Sequence, residues 1–229
     1  MIKAVIFDLD NTLYDQREYI KLLLKLISRI ISQEYGLESE KNYHWLIDHW
    51  IKKGPFYKYY FDDVVTHFDL KKEEIRRFID ISQTFKPDTM QLYPEAEKVL
   101  SELKKKYRLF LLTDGNVLAQ RNKIEALKIS GFFEKIIFTA EFKQKPHPSS
   151  YLEVLNSFSL NANEVACVGD NPLVDFCSPN ELRMITIRIK KGYFKDEIGE
   201  KNHEAKTSIL ELNSLPSLLA RLSKNSESL

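Results

Sequence analysis

Five short apolar runs, spaced along the chain by segments of helical period, leave it few ways to fold. They lie at residues 3–7, 108–112, 136–139, 165–168 and 184–189. A short apolar run closed by a turn cluster is the pattern of a strand buried on both faces. Helical periodicity occupies residues 93–106, 117–130, 149–158 and 179–182 between them. Strands alternating with helices imply a parallel sheet joined by right-handed crossovers. The expected fold class is α/β, a parallel sheet core flanked by helices.

Residues 15–87 break this rhythm. Residues 16–35 are rich in leucine and isoleucine, a density that suggests a helix packed on more than one side. Gly36 is placed to end it. Further helices are expected at 40–52, 56–67 and 71–84, with Gly54-Pro55 and Asp69 at the joints. The expected domains are a core of residues 1–14 and 88–229 and an all-helical insertion of residues 15–87. The tail from about Lys224 is expected to fray.

Composition excludes several classes. A length of 229 residues suits one large domain, or a core with an insertion. A formal net charge of +1 supplies no bulk attraction to nucleic acid or to a membrane surface. No run approaches a membrane span, because the stretch from Ile20 to Ile31 is interrupted by lysines, a serine and an arginine. Cys167 falls in a strand run and Cys177 beyond an acidic turn, which is neither a disulfide framework nor a metal pattern. The first core strand begins almost at once, with no secretory leader before it, so a cytoplasmic location is expected.

Chemistry collects where the apolar runs end. The first run delivers Asp8 and Asp10 into Asp8-Leu9-Asp10-Asn11-Thr12. Residues two apart on an extended chain project to one side, so the two carboxylates are expected to meet just beyond the strand. Crowded acids need a cation, a hydrogen-bond network or a shared proton. That suggests a hard metal and acid–base work, with plain turn chemistry as the alternative. The second run leads into Thr113-Asp114-Gly115-Asn116, where a hydroxyl and successive backbone N–H groups precede a helix and can form an anion-binding nest. The fourth leads into Gly169-Asp170-Asn171-Pro172, with Asp175 beyond. After the third comes Lys143-Gln144-Lys145-Pro146-His147-Pro148, a turn stiffened by two prolines. Ligands of open α/β sheets bind at the carboxyl ends of the strands, so acids, a hydroxyl, a nest and a lysine converge on one edge. On the residues alone the choice between Lys143 and Lys145 stays open.

In this order the motifs resemble the haloacid dehalogenase superfamily, specifically phosphatase-like members with a helical cap inserted after the first strand. The resemblance covers the whole core and implies a Rossmann-like sheet. Asp8 through Thr12 match the first motif, Thr113 the second, Lys145 the third, and Gly169-Asp170 through Asp175 the fourth. Asp114 departs from the pattern, since many members carry asparagine there. Its backbone N–H is the group expected to matter, and the added carboxylate could tune selectivity.

The resemblance implies a Mg²⁺-dependent phosphatase that hydrolyses a small phosphomonoester, a sugar phosphate or nucleotide, through an aspartyl-phosphate. Asp8 would be the nucleophile and Asp10 the general acid and base. Lys145 would offset charge on the transferring group, with Thr113 and the Asp114 amide holding the other phosphate oxygens. Mg²⁺ would sit on Asp8, the Asp10 carbonyl and Asp170. Asp175 would orient Lys145 or a metal-bound water. The partner implied is a small phosphorylated metabolite, with no nucleic acid and no membrane, the chain being a monomer or homodimer.

Other readings weigh less. A phosphomutase remains open because the insertion carries no matching motif. A 2-haloacid dehalogenase would leave Asp10 and Asp170 without purpose. A phospho-receiver-like signalling domain is disfavoured by the long insertion after the first strand and by the nucleophile's place on it. Asp175 as a mere helix cap is the plainer alternative for that residue. His147 reads as an exposed turn residue. His44 and His49 are five apart rather than the four of a helical metal pair, and read as structural or exposed. The aromatic stretch from Trp45 to Phe61 is expected to be mostly interior to the insertion or at its seam with the core.

Overall fold

The computed structural model describes residues 1–225. In chain order the elements are β1 (Ala4–Phe7), α1 (Gln16–Tyr35), α2 (Ser39–Lys53), α3 (Tyr60–His67), α4 (Glu73–Thr84), α5 (Ala96–Lys104), β2 (Arg108–Thr113), α6 (Val117–Leu127), β3 (Lys135–Phe138), α7 (Ser149–Ser157), β4 (Val165–Gly169), α8 (Cys177–Glu181), β5 (Ile185–Ile189), β6 (Thr207–Ile209) and α9 (Leu215–Asn225). The chain divides into two compact units, Met1–Gln16 with Gln91–Leu229, and Arg17–Met90.

The first unit is built on a six-stranded sheet in the order β3-β2-β1-β4-β5-β6. Every pairing is parallel. The first strand lies inside the sheet, with Ala4 opposite Arg108 on one side and Val165 on the other. All four of its residues are buried, as expected for a strand with helices on both faces. Beneath it Ala4, Ile6, Phe110, Leu112, Tyr151, Val154 and Cys167 share one apolar cluster. The five strands expected from the apolar runs are present to within a residue at each end. The sixth, with the sequence Thr-Ser-Ile, is a short polar edge strand that carries no apolar run. Helix α9 continues through Lys224 and Asn225; the rest of the tail expected to fray lies outside the described residues.

In the second unit α1 buries Tyr19, Leu23, Leu24, Ile27, Ser28 and Ile31, one stripe at helical spacing. The expectation of packing on more than one side is corrected here: Leu22 is exposed, and Ile20, Leu26 and Ile30 are half-buried. The helix ends at Gly36, whose φ of 70° is left-handed and whose N–H donates to Ser32 O at 3.0 Å. The third helix starts at Tyr60 rather than Phe56, and Phe56 and Tyr59 are exposed. His49 pairs with Asp63 at 2.8 Å, and Trp45 stacks against both His49 and His67. His44 is exposed and contacts its own helix at Glu40 O. Among the described residues, no helix is long and apolar enough to cross a membrane.

Candidate active site

The sheet leaves its chemistry at the carboxyl ends of β1, β2 and β4. The Asp8 N–H still donates to Val168 O at 2.8 Å, so Asp8 is fixed against β4 although the strand proper ends at Phe7. The chain then turns tightly, with Leu13 N–H donating to Leu9 O at 3.1 Å and Asn11 in the left-handed region at φ 58°. This turn brings the Thr12 hydroxyl onto Asp8 Oδ2 at 3.3 Å. Gly192 packs against it; a Cβ there would lie 2.4 Å from the Asn11 Cβ.

Lys145 is buried and its ammonium bridges Asp8 Oδ1 at 2.6 Å and Asp175 Oδ1 at 2.8 Å. Lys143 is exposed, as is His147. The other oxygen of Asp175 accepts from the Asn171 N–H at 3.0 Å, so this carboxylate both seats Lys145 and closes the turn after β4. It fits because residue 169 is glycine: a Cβ there would lie 2.5 Å from Asp175 Oδ2. Asp170 is buried, and its Oδ2 has no hydrogen-bond partner. Its backbone carbonyl accepts from Arg188 Nε at 3.1 Å. Arg188 is itself buried and also binds Phe194 O, Glu197 O and the Glu204 carboxylate.

These charges perturb one another. Burial pushes the Asp8 carboxyl up to about 7, against the pull of Lys145 and with a push from Asp175. Burial, then Asp175 and Asp8, raise Asp170 well above the carboxylate range. Burial opposes the charge on Lys145, but Asp175 and Asp8 outweigh it and hold its ammonium well above the lysine range. Lys145 is thus shared by Asp8 and Asp175, and Asp8, Asp170 and Asp175 can each offer an oxygen within 4.8 Å of the others. The unpartnered oxygen of Asp170 and an all-oxygen donor set fit a hard divalent cation.

Thr113 ends β2 buried, and its hydroxyl has no partner. The Asp114 carboxylate turns onto the Thr139 hydroxyl and the Lys145 N–H, the latter at 3.4 Å. It therefore ties the turn after β2 to the segment carrying Lys145. Burial raises its carboxyl above the ordinary value. Asn116 caps α6, its side chain accepting from Leu118 and Ala119 N–H at 3.0 and 3.1 Å.

The Asp10 carboxylate lies close enough to Asp8 and Asp170 to push both of their carboxyls up, as a smaller cause than burial, and it has donors of its own. Asp10 accepts from the Tyr14 hydroxyl, from Gln120 Nε2 at 3.2 Å, and from Lys123 Nζ at 2.8 and 3.0 Å. The carboxylates that group as metal donors are those of Asp8, Asp170 and Asp175. Sequence reasoning missed Tyr14, Gln120, Lys123 and Arg188. The one signal for Arg188 was a charge inside an otherwise apolar strand.

Comparison with known proteins decides the family. Residues 5–189 match the model of the haloacid dehalogenase-like hydrolases. The chain belongs to the haloacid dehalogenase-like hydrolase family. It is 32% identical to a glyceraldehyde 3-phosphate phosphatase of Methanocaldococcus jannaschii, over 98% of this chain and 100% of the relative. It is 27% identical to an N-acylneuraminate-9-phosphatase of Rattus norvegicus, over 74% of each chain. A HAD hydrolase of Bacillus subtilis, solved bound to magnesium, shares the fold with a TM-score of 0.68 at 16% identity, over 95% of this chain and 98% of that one. Among haloacid dehalogenase-like hydrolases this chain is thus related in sequence to phosphatases over nearly its whole length.

Proposed function

We propose that this chain is a Mg²⁺-dependent phosphatase that hydrolyses a small sugar phosphate through a phosphoaspartate on Asp8. The observation that carries the reading is the setting of Asp8. It is half-buried and seated on Lys145 at 2.6 Å, with oxygens of Asp170 and Asp175 within 4.8 Å. Displacement at carbon, as in a dehalogenase, would give the buried Asp170 no task. The names of the relatives favour sugar-derived phosphates over nucleotides.

An Asp8 oxygen attacks phosphorus, the phosphorus–oxygen bond to the leaving group breaks, and Asp10 delivers a proton to that leaving oxygen. Asp10, now a carboxylate, takes a proton from water as that water attacks the phosphoaspartate. Inorganic phosphate leaves and Asp8 is regenerated. Lys145 offsets charge on the transferring group, and the Thr113 hydroxyl and Asp114 N–H hold its oxygens. Asp8, Asp170 and the Asp10 carbonyl would hold Mg²⁺, which when bound supplies Lewis-acid neutralisation of phosphoryl charge.

The phosphate-facing groups treat all esters alike, so we assign the choice among them to the helical residues Arg17–Met90, our proposed cap, where Lys52, Lys53 and Lys58 are the first positions to replace. The test is phosphate release from glyceraldehyde 3-phosphate, an N-acylneuraminate 9-phosphate, hexose phosphates and nucleoside monophosphates, with Mg²⁺ or with excess chelator. The expected result is metal-dependent release that is fastest among the sugar-derived esters. Full rates in chelator would remove the metal, and halide release from 2-haloacids without phosphate release would overturn the reading.

A further inference from the structure

We infer that Lys123 and Gln120, on one face of α6, are positioning residues that aim the Asp10 carboxylate at the leaving-group oxygen. The inference rests on the reading of Asp10 as the proton donor and acceptor. Lys123 carries its charge into the interior: its side chain is only 5% exposed. A buried ammonium needs a partner, yet a buried ion pair gains little over apolar packing. Stability alone therefore does not account for it.

Its geometry does. The ammonium contacts both oxygens of Asp10, at 2.8 and 3.0 Å, which fixes the plane of the carboxylate as well as its position. Gln120, one turn earlier on the same helix, donates from one amide nitrogen to Asp10 Oδ2 at 3.2 Å and to Asp114 O at 2.5 Å. The Tyr14 hydroxyl completes the set on Oδ1. Together these contacts hold both oxygens of the carboxylate in place. The Asp114 carbonyl belongs to the same turn as Thr113. Helix α6 therefore joins the turn assigned to phosphate binding to the residue assigned to proton transfer. When phosphate is held by the turn, the register of Asp10 is set by α6 together with Tyr14 of its own loop.

The test uses leaving groups. An aryl ester such as 4-nitrophenyl phosphate expels a phenolate that needs no proton, whereas an alkyl ester such as a sugar or glycerol phosphate does. The measured quantity is the alkyl-to-aryl ratio of kcat/KM, which reports steps up to departure of the leaving group and so excludes hydrolysis of the phosphoaspartate. Lys123→Met is expected to lower that ratio by ~10²-fold, the lower range of a general-acid contribution, and Lys123→Arg to restore most of it. Gln120→Met leaves the ion pair in place, and is expected to lower the ratio by roughly 5-fold; it serves if Lys123→Met fails to fold. Asp10→Asn is the reference. If Asp10→Asn lowers the ratio but neither helix variant does, the positioning role is overturned while Asp10 keeps its own. If Asp10→Asn leaves the ratio unchanged, the reading of Asp10 itself fails. A purely structural role would depress both esters together and leave the ratio at the wild-type value.

Discussion

Replacing Thr113 with valine should make the protein more stable and less active. Thr113 closes β2 with 1% of its surface exposed, and its hydroxyl has no partner. A buried hydroxyl without a hydrogen bond costs about 1–3 kcal/mol relative to water. Valine keeps the β-branched shape that suits a strand and removes that cost. A gain of ~1 kcal/mol in a chain of this size raises Tm by roughly 2–4 °C. The same hydroxyl is assigned to the phosphate. A hydrogen bond to a charged group is worth about 1.5–3 kcal/mol, so kcat/KM should fall by roughly 10- to 150-fold. Differential scanning calorimetry in chelator gives the first quantity and steady-state phosphate release the second. Tm lowered by several degrees would show that the hydroxyl supports the fold, and kcat/KM within twofold of wild type would remove it from the phosphate site. Either result refutes the reasoning that an unpartnered group is held there for a ligand.

Four further outcomes are expected. Asp8→Asn should lose turnover by ~10³-fold or more with an unchanged circular dichroism spectrum, because an amide cannot serve as the nucleophile; activity near the wild-type rate would exclude Asp8 from that role. Asp170→Asn should raise the Tm of the metal-free protein by removing one of three crowded carboxylates, and should abolish the further rise that Mg²⁺ gives wild type, about 2.7 kcal/mol at 100-fold excess over Kd; an undiminished Mg²⁺ shift would exclude Asp170 as a ligand. Asp114→Asn should gain in Tm over wild type as pH rises above 3.8: burial lifts the Asp114 carboxyl above that ordinary value, so the folded protein holds a proton that the unfolded chain releases, and wild type loses stability as pH climbs through the raised value while the amide does not. A Tm difference independent of pH would show that this carboxylate is not the cause. Arg188→Met should lower Tm by roughly 10 °C, since removing one member of a buried charged network costs about 3–5 kcal/mol, and a change under 2 °C would show that the contacts of Arg188 are energetically idle.

The sequence is most legible where one physical signal dominates. An apolar run such as Ala4–Phe7 must be buried on both faces, and the structure sets it between two neighbours. Gly36 ends α1 where a left-handed residue is required. The three-residue edge strand Thr207–Ile209 has no such signal, because its place is fixed by pairing with β5. The same contrast runs through the candidate site. Acids at the ends of apolar runs stand out, and Asp8, Asp170 and Asp175 are indeed found together. Gln120 and Lys123 do not stand out, because a glutamine and a lysine three apart on a helix look like any solvated face. Only the fold shows that this face turns inward. Exposure separates Lys145 from Lys143, which composition and spacing cannot do. The density of leucine in α1 misled for a related reason: helix formers are tolerated at exposed positions such as Leu22 at little cost.

The place of β1 in the sheet has a consequence for how the protein is made. It is the earliest of the strands to leave the ribosome, yet its partners are Arg108–Thr113 and Val165–Gly169. Synthesis runs at about 5–20 residues per second. An apolar segment with two open edges must therefore wait for seconds while the whole helical insertion is produced, and its second edge stays open for longer still. Such pairings across long stretches of chain are slow to close and prone to trap foreign strands. Nascent chains halted before Val165 should recruit holding chaperones through residues 3–7, and release them once β4 has emerged.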